Sequence, residues 1–383
     1  MNIIILGADG YLGWPMTMRL ANQNHNVLAV DNYFRRLIAK ETDSEALIEG
    51  SNLHVRKELF ENKFKKSFKI KIGDCTDYLF LTEIINDFQP DTVIHFAEQP
   101  SAPYSMIDYS SAKKTLDNNI HSTFNLIWAI KNIKPECHII KLGTMGEYGT
   151  PNIDIEEGWL NVEHNGRKEK FLYPRQAGSL YHTTKVLDTD LLWFYVRTHN
   201  LRVTDLMQGP VYGLFTEETI VDDNFLPNFH YDDIFGTLVN RFITQAVAGI
   251  PLTVYGDGGQ TRGYLNLKDT LKCIELSISN PAKKGELKIM NQFTEQFTVN
   301  EIAERVKKVS EINGFKCDIK KISNPRKELE NHYYNAKHSK LIDLGLNPTF
   351  MTNEALSEIF KKVAKKKELI REEIAIPRIK WNR

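Results

Sequence analysis

The first fourteen residues constrain the fold more than any other stretch of the chain. "NIIILGADGYLGW" (Asn2–Trp14) is an apolar strand, then a turn with Gly7, Gly10 and Gly13, then the start of a helix. Glycines permit the tight turn, and they let a pyrophosphate approach backbone N–H groups at the helix N-terminus. The order strand, G-x-x-G-x-x-G, helix therefore predicts a dinucleotide-binding βαβ unit.

Four more apolar strands follow, and each ends in polar or glycine residues. They are "NVLAVDNY", "FKIKIGDCTD", "DTVIHFAEQ" and "CHIIKLGTMG", with amphipathic helical stretches between them. This alternation is typical of a parallel sheet covered on both faces, whose ligands bind at the carboxyl ends of the strands. We predict an α/β protein: a Rossmann-type doubly wound parallel sheet with a smaller C-terminal α/β substrate-binding region. The charged stretch 34–69 interrupts the alternation and predicts an added helix pair, a lid or a solvated insertion.

Composition and charge exclude several partners. Lys+Arg and Asp+Glu number 49 each, so no overall field favours nucleic acid or an anionic membrane. No apolar run is long enough to cross a bilayer, and the four cysteines are too scattered for a metal site. The first strand begins at Asn2, which leaves no room for a signal peptide, and we expect a cytoplasmic protein without bound metal.

The end of the second strand favours NAD as the cofactor. Asp31 lies eighteen residues after Gly13, where a carboxylate accepts hydrogen bonds from the ribose hydroxyls and repels a 2′-phosphate. Arg35 and Arg36 follow closely and keep NADP open as an alternative. Asp74 can reach the adenine amine, or it can cap a turn. The other candidate cofactor contacts are Tyr11, Leu12, Asn32, Cys75, Ala97, Asn119, Tyr181 and Lys185.

The segment "YHTTK" supplies the candidate chemistry. Tyr181 and Lys185 are four residues apart, so in a helix they share one face. An ammonium beside a phenol stabilises the phenolate, and the pKa of Tyr181 should fall from about 10 toward neutrality. The phenolate could then take a proton from a substrate hydroxyl while a nicotinamide takes the hydride.

With Thr144, these residues resemble the extended short-chain dehydrogenases/reductases of the nucleotide-sugar branch. The motifs "ADGYLGW", "VDNYFRR", "EQPSAPYSMID", "KLGTMGEYGTPNIDIEEG", "LTVYGDGGQTRGYL", "NQFTEQF" and "HYYNAKHSKL" resemble, more narrowly, the UDP-sulfoquinovose synthase family. That resemblance implies NAD, UDP-glucose and sulfite as ligands, and commonly a homodimer. It implies an NAD-binding domain over 1–205 with a returning segment near 236–280, and a nucleotide-sugar region over 206–235 and 281–383.

The resemblance also implies a reaction. Tyr181, helped by Lys185, deprotonates the C4 hydroxyl while NAD takes the C4 hydride; the C5 proton and C6 hydroxyl then leave. Sulfite adds at C6, and the hydride returns to C4. Thr144 would hydrogen-bond the C4 oxygen, and Glu147, His182, or Thr144 with water would remove the C5 proton.

One strand end departs from the related 4,6-dehydratases. Those enzymes carry Thr-Asp-Glu where this chain has Thr144, Met145 and Gly146. Loss of the acid pair leaves room beside C6 for a nucleophile, or Met145 simply packs against the sugar. A 4-epimerase or 4,6-dehydratase, and an inactive NAD-sensing protein, are the competing functions.

The resemblance assigns the substrate end less completely. Arg262 is the candidate for the diphosphate and Tyr255 for the uracil pocket, since a guanidinium forks onto phosphate oxygens. Plant-like members carry Arg where this chain has Pro100, which puts sulfite docking in doubt and leaves a sulfur-donor protein as a possible partner. Substitutes for that arginine are His182, Gln99 and Ser101. The remaining substrate-site candidates are Thr144, Gln208, Asn240 and Thr253.

Overall fold

Apolar strands alternate with amphipathic helices through most of the chain, of which the computed structural model describes residues 1–326 and 333–379. The strands are β1 (Asn2–Leu6), β2 (Asn26–Asp31), β3 (Lys69–Ile72), β4 (Thr92–His95), β5 (His138–Thr144), β6 (Trp159–His164), β7 (Arg167–Leu172), β8 (Arg202–Gln208), β9 (Val211–Tyr212), β10 (Leu252–Tyr255), β11 (Thr261–Asn266), β12 (Glu286–Gln292), β13 (Glu295–Thr298) and β14 (Ile319–Ile322).

The helices are α1 (Gly13–Asn22), α2 (Phe34–Glu41), α3 (Leu53–Phe64), α4 (Tyr78–Phe88), α5 (Tyr109–Ile133), α6 (Leu180–His199), α7 (Leu238–Ala248), α8 (Leu267–Ser279), α9 (Val299–Ile312), α10 (Lys340–Asp343), α11 (Asn353–Ala364) and α12 (Glu372–Ala375). Single 3₁₀ turns cover Tyr104–Met106, Met145–Glu147, Thr219–Val221, Asp223–Phe225 and Lys367–Leu369.

A seven-stranded parallel sheet in the order β12-β8-β5-β4-β1-β2-β3 forms the main layer of the protein. One face packs against α4, α5 and α6, through side chains such as Ile85, Ile127 and Leu192. The other face packs against α1, α3 and α8, where Trp14 and Leu271 are buried. The predicted doubly wound sheet is confirmed, and the carboxyl ends of all seven strands meet at one edge.

A second core lies beyond β8. Apolar side chains from α7, α9 and α11 meet those of β10, with Phe242, Val306 and Phe360 fully buried among them. Within the expected returning segment 236–280, α7 packs into this second core. The return to the main sheet is made by α8 and by β12, which lies beyond that segment. The domain boundary at residue 205 stays a prediction.

The charged stretch 34–69 forms the helix pair α2 and α3 before it enters β3. Arg36 on α2 pairs with Asp9 of the glycine turn at 2.6 Å, and the backbone of Leu47 and Ile48 bonds that of Phe229. The insertion therefore connects the cofactor turn to the second core. Among the described residues, no helix is both long and apolar enough to cross a membrane.

We expect the second core to dominate the stability of the C-terminal region. Phe360→Ala removes a fully buried ring, so the free energy of unfolding should fall by about 3–5 kcal/mol. Phe350→Ala is the control, because its ring is 55% exposed and its loss should cost less than about 0.5 kcal/mol. Urea denaturation measures both; equal losses would contradict the assignment of this core.

Candidate active site

A cavity of about 740 Å³ opens at the carboxyl edge of the main sheet, between the glycine turn and the second core. Side chains from the main sheet and from the region of the second core line it. We call the end beside the glycine turn the cofactor end, the end beside Arg262 the substrate end, and the part between them the chemical part. Open α/β sheets bind ligands at this edge. The cavity is therefore the candidate active site.

The glycine turn forms a cradle for a diphosphate. Gly7 has φ +88°, and a Cβ there would lie 2.8 Å from the carbonyl carbon of Phe96. A Cβ on Gly13 would lie 2.0 Å from the Gly7 carbonyl oxygen. α1 begins at Gly13 with no side-chain cap and no acid in its first turn, so its positive N-terminal end suits an anion, although Trp14 N is bonded to Gly10 O and Pro15 has no N–H. The turn thus fits a dinucleotide.

Arg35 adds a positive charge to this end. It lines the cavity with its guanidinium 4.9 Å from the Phe235 ring, and its buried Nε has no hydrogen-bond partner in the described chain. Arg36, by contrast, is held by Asp9 and Glu49. Of this predicted pair, only Arg35 lines the cavity. A single arginine at this position suits the diphosphate of a dinucleotide more than a 2′-phosphate beside Asp31.

The acids of the cofactor end are placed as predicted. Asp31 ends β2 and accepts from the amide groups of Asp9 (2.8 Å) and Tyr33 (2.7 Å). Burial, then the charge of Asp9, raises the pKa of Asp31 to about 6. Asp74 lines the cavity, but it also caps a turn by accepting from the amide and hydroxyl of Thr76. Other predicted residues in the lining are Tyr11, Leu12, Asn32, Cys75 and Ala97.

Asn119 does not reach the cavity. Its amide donates to Gln99 O and Thr184 Oγ1 and accepts from Gln99 N, so it joins α5 to the loop after β4 and to α6. The neighbouring Asn118 lines the cavity instead. Helical phase explains the difference, since consecutive residues on α5 point about 100° apart.

The chemical part brings Thr144 and Tyr181 together. Thr144 ends β5, and its hydroxyl oxygen accepts from Gly146 N (3.1 Å), which leaves its proton free for a ligand. Tyr181 lies in the first turn of α6 and lines the cavity. Lys185 follows one turn later, and its ammonium donates to Glu98 at 2.6 Å. Glu98 is not among the site residues predicted from the sequence.

The predicted fall in the pKa of Tyr181 is wrong for the ligand-free protein. Burial raises that pKa well above its usual value, and the negative charges of Glu98 and Glu147 raise it further. Lys185 does not offset them, because its ammonium is paired with Glu98 and no hydrogen bond joins it to Tyr181 in the described chain. Glu98 opens the motif "EQPSAPYSMID", but no local pattern in the sequence indicated that it would pair with Lys185.

Gly146 makes room for an imidazole. A Cβ on Gly146 would lie 2.3 Å from Nε2 of His182, so the ring of His182 occupies the space of a side chain at 146. Nδ1 of His182 is bonded to Ser179 Oγ at 2.9 Å. Burial, then the charges of Arg326 and Arg262, lowers the pKa of His182 to about 3, so the ring is neutral. The space left by the missing acid pair is thus filled by His182, with Met145 packed beside it in the core.

Glu147 is not brought to the cavity. It is fully buried, with Oε1 accepting from Lys141 (3.2 Å) and Oε2 from the Thr189 hydroxyl (3.2 Å). Lys141 also pairs with Asp205 at 3.3 Å. The 3₁₀ turn after β5 directs Glu147 inward, as part of a capping box that ends at Thr144 N. Its position argues against a role as the C5 base.

The substrate end carries three arginines. Arg262, predicted from the sequence, lines the cavity together with Arg241 and Arg326. The guanidinium carbons of Arg241 and Arg326 lie 5.3 and 6.0 Å from the ring centre of Tyr255, the predicted uracil contact. Three guanidinium groups at one end suit a diphosphate. Sequence reasoning selected Asn240 rather than its neighbour Arg241, and Arg326 lies in a loop without a recognisable motif.

Two substrate-site candidates lie outside the cavity. Asn240 is buried within α7, and Thr253 bonds Gln245 through its hydroxyl (2.8 Å) and its amide (3.1 Å). Neither residue is part of the cavity lining. Gln208 lines the cavity and donates to Gln292 at 3.1 Å.

Gln99 and Ser101 line the cavity beside Pro100, but their polar atoms are engaged within the protein. The Gln99 amide donates to Ser101 O and Thr115 Oγ1, and Ser101 Oγ donates to Ile234 O at 2.6 Å. Gln99, Ser101 and His182 are the three substitutes for an arginine at position 100. Among them, the Nε2 atom of His182 is the polar atom most accessible to a ligand in the cavity.

The comparisons with known proteins agree with this geometry. Residues 3–291 match the model of the NAD dependent epimerase/dehydratase family. The chloroplastic UDP-sulfoquinovose synthase of Spinacia oleracea is 45% identical over 100% of this chain and 79% of that protein. The UDP-sulfoquinovose synthase of Sulfolobus acidocaldarius is 42% identical over 100% of this chain and 98% of its own.

Solved structures support the fold. UDP-glucose 4-epimerase of Thermotoga maritima with UDP-glucose superposes with a TM-score of 0.71 at 19% identity, covering 97% of this chain and 100% of that one. UDP-glucuronic acid 4-epimerase of Bacillus cereus, with UDP-glucuronic acid and NAD, gives a TM-score of 0.69 at 20% identity and covers 97% and 100% of the two chains.

Gly146→Ala should displace the His182 ring, because the new methyl would lie 2.3 Å from Nε2. A displaced ring loses part of its burial, so its pKa should rise from about 3 by about one unit or more. Titration of ¹⁵N-labelled histidine by NMR measures the shift. Gly178→Ala is the matched control, since its Cβ meets nothing within 4 Å. An unchanged His182 titration in Gly146→Ala would contradict this packing.

Proposed function

The chain belongs to the UDP-sulfoquinovose synthase family, within the NAD dependent epimerase/dehydratases, and we propose that it makes UDP-sulfoquinovose from UDP-glucose and sulfite. The observation that carries the assignment of residues is the His182 imidazole packed over Gly146, beside Thr144 and Tyr181. It puts a neutral acid–base group where a dehydratase would have its carboxylates.

The cofactor is NAD, which accepts the C4 hydride when bound and later returns it. Tyr181 takes the proton of the C4 hydroxyl, and Thr144 holds the C4 oxygen through its free hydroxyl proton. Lys185 supplies the positive charge on the same face of α6. These roles are supported by the position of Thr144 and Tyr181 in the cavity wall.

His182 is the group that we assign to the C5 proton. With Nδ1–H donating to Ser179 Oγ, the Nε2 lone pair is free to act as a base. The C4 ketone acidifies C5–H; His182 takes that proton and passes it to the departing C6 hydroxyl, which leaves as water. Bisulfite then gives its proton to His182, its sulfur bonds C6, and His182 protonates C5, so atoms and charge balance.

The three arginines of the substrate end support a nucleoside diphosphate. Arg262 would bind the diphosphate oxygens, with Arg241 and Arg326 both near the ring of Tyr255. Burial, together with the charges of Arg326 and Arg262, lowers the pKa of His182 and keeps its ring neutral before substrate enters. The sugar then lies between this end and Thr144, within the span of the cavity.

Product analysis by mass spectrometry tests the proposal. Purified protein with NAD and UDP-glucose should give a sulfonated UDP-hexose only when sulfite is added. Tyr181→Phe should reduce turnover by at least about 10²-fold, because the phenol is the base, whereas Tyr195→Phe on the same helix should retain it. A 4-keto-6-deoxy product or UDP-galactose would instead establish a dehydratase or 4-epimerase. NADH formation without any sulfonated product would indicate a protein sulfur donor rather than free sulfite.

We further propose a homodimer formed through α5 and α6. Apolar side chains on one face of each helix stay exposed: Leu116 and Phe124 on α5, Leu187 and Phe194 on α6, with fractional exposures of 38–48%. The two helices pack side by side, so these side chains form a continuous apolar surface. A two-fold partner would cover this surface with its own copy.

Phe124→Asp combined with Leu187→Asp should convert the dimer to a monomer, because each dimer would bury four carboxylates. Light scattering during size-exclusion chromatography measures the mass. Leu79→Asp is the control, since Leu79 is 76% exposed on α4, outside this surface. A monomeric unmodified protein at micromolar concentration would sink the proposal.

A further inference from the structure

Glu98 lies where the loop after β4 meets α6, the helix that carries Tyr181 and Lys185. Its side chain is 5% exposed, and Oε1 accepts from the Lys185 ammonium at 2.6 Å. His95 Nε2, at the end of β4, lies 3.5 Å from the same oxygen. Glu98 therefore binds the ammonium of Lys185, the residue that was predicted to stabilise the Tyr181 phenolate.

Hydrogen bonds within the loop and to α5 hold the backbone at Glu98 in place. Glu98 N donates to Phe96 O at 2.8 Å. The next amide, Gln99 N, donates to the side chains of Asn118 (2.9 Å) and Asn119 (2.7 Å) on α5. Asn119 in turn donates to Thr184 Oγ1 at 2.9 Å on α6. The carboxylate and the lysine that it binds are thus tied to one helix pair.

Charged groups reach Tyr181 from four directions. Glu98 comes from the loop after β4, Glu147 from the turn after β5, Lys141 from β5, and Asp188 from α6 itself, where its carboxyl lies near the Lys185 ammonium. The neutral His182 ring lies 5.1 Å away, centre to centre. Burial and the carboxylates raise the pKa of Tyr181, with Glu98 the first of the charges in size.

We propose that Glu98 is a positioning residue for the C4 oxidation, which holds the Lys185 ammonium and sets the pH at which Tyr181 becomes a base. The inference rests on the proposed function, because it assigns the same Tyr181 and Lys185. Glu98 keeps the phenol protonated until other positive charge enters the cavity. The acid limb of kcat/KM for C4 oxidation therefore lies at higher pH than Lys185 alone would give.

Asp188 offers a matched comparison within the same cluster. Its carboxyl lies 3.8 Å from the Lys185 ammonium, and burial followed by the charge of Glu98 raises its pKa well above the usual value. Lys185 instead lowers the pKa of Glu98, so the two carboxyls are shifted in opposite directions. Glu98→Gln removes the carboxylate that holds Lys185 at 2.6 Å, whereas Asp188→Asn changes a carboxyl 3.8 Å from it, and both replace a buried carboxyl by an amide.

Two readouts follow Tyr181 in these variants. ¹³Cζ-tyrosine NMR of the ligand-free protein, assigned with Tyr181→Phe, reports its pKa without any turnover. Absorbance of NADH on addition of UDP-glucose, without sulfite, reports the pH dependence of C4 oxidation. The first readout stays informative even if no sulfonated sugar is ever made, which separates this inference from the proposed function.

Glu98→Gln should move the Tyr181 titration and the acid limb to lower pH by about one unit, the effect of one nearby charge. Asp188→Asn should move both by less, because Asp188 is the weaker of the two charges on Tyr181. Glu98→Asp, which keeps the charge on a shorter side chain, should retain the position of the limb while kcat falls. An unmoved limb in Glu98→Gln, or equal shifts in Glu98→Gln and Asp188→Asn, would overturn the proposal. Should Glu98→Gln fail to fold, a shifted limb in Glu98→Asp would overturn it as well.

Discussion

The fully buried ammonium of Lys141 is the interaction on which the geometry of the site depends. It bonds Glu147 from the turn after β5, Asp205 from β8, and the Thr189 hydroxyl and Lys185 carbonyl from α6. A buried charge is tolerated only when its partners are complete, and removal of one partner typically costs about 3–5 kcal/mol. The cluster therefore fixes the end of β5 against α6, which sets the distance from Thr144 to Tyr181.

The packing of the 3₁₀ turn Met145–Glu147 explains why its sequence is Met-Gly-Glu. Glu147 is required on the inner side, as the anchor for Lys141 and as the cap of Thr144 N. Met145 is packed in the core and also lines the cavity, and Gly146 leaves the space that the His182 ring occupies. Because glycine has no side chain, α6 can bring an imidazole to the wall. In the proposed mechanism, acid–base chemistry therefore comes from α6 instead of the end of β5.

Local patterns predicted the parts of the protein that are determined locally. The strands, the glycine turn, the helix pair after β2 and the Tyr181–Lys185 helix face each follow from spacing within a few residues. What failed depended on distant parts of the chain: burial raises the pKa of Tyr181 instead of lowering it, and the charge of Glu98, which lies 87 residues before its partner Lys185, raises it further. Glu147 and Asn119 were misplaced because one residue of turn or helix phase decides which way a side chain points.

The charge balance behind the cavity wall connects these features. Lys141, Lys185 and Arg175 face the acids Glu98, Glu147, Asp188 and Asp205 in a region closed to water. Burial raises the pKa of Glu147 and of Asp188, and the neighbouring cations oppose that shift, so the charges of this cluster depend on one another. Since Coulomb energies are large where water is excluded, a phenol at the rim of such a cluster responds strongly to a single added charge. A cavity with this wall is suited to a reaction in which the same tyrosine must first accept a proton and later return it.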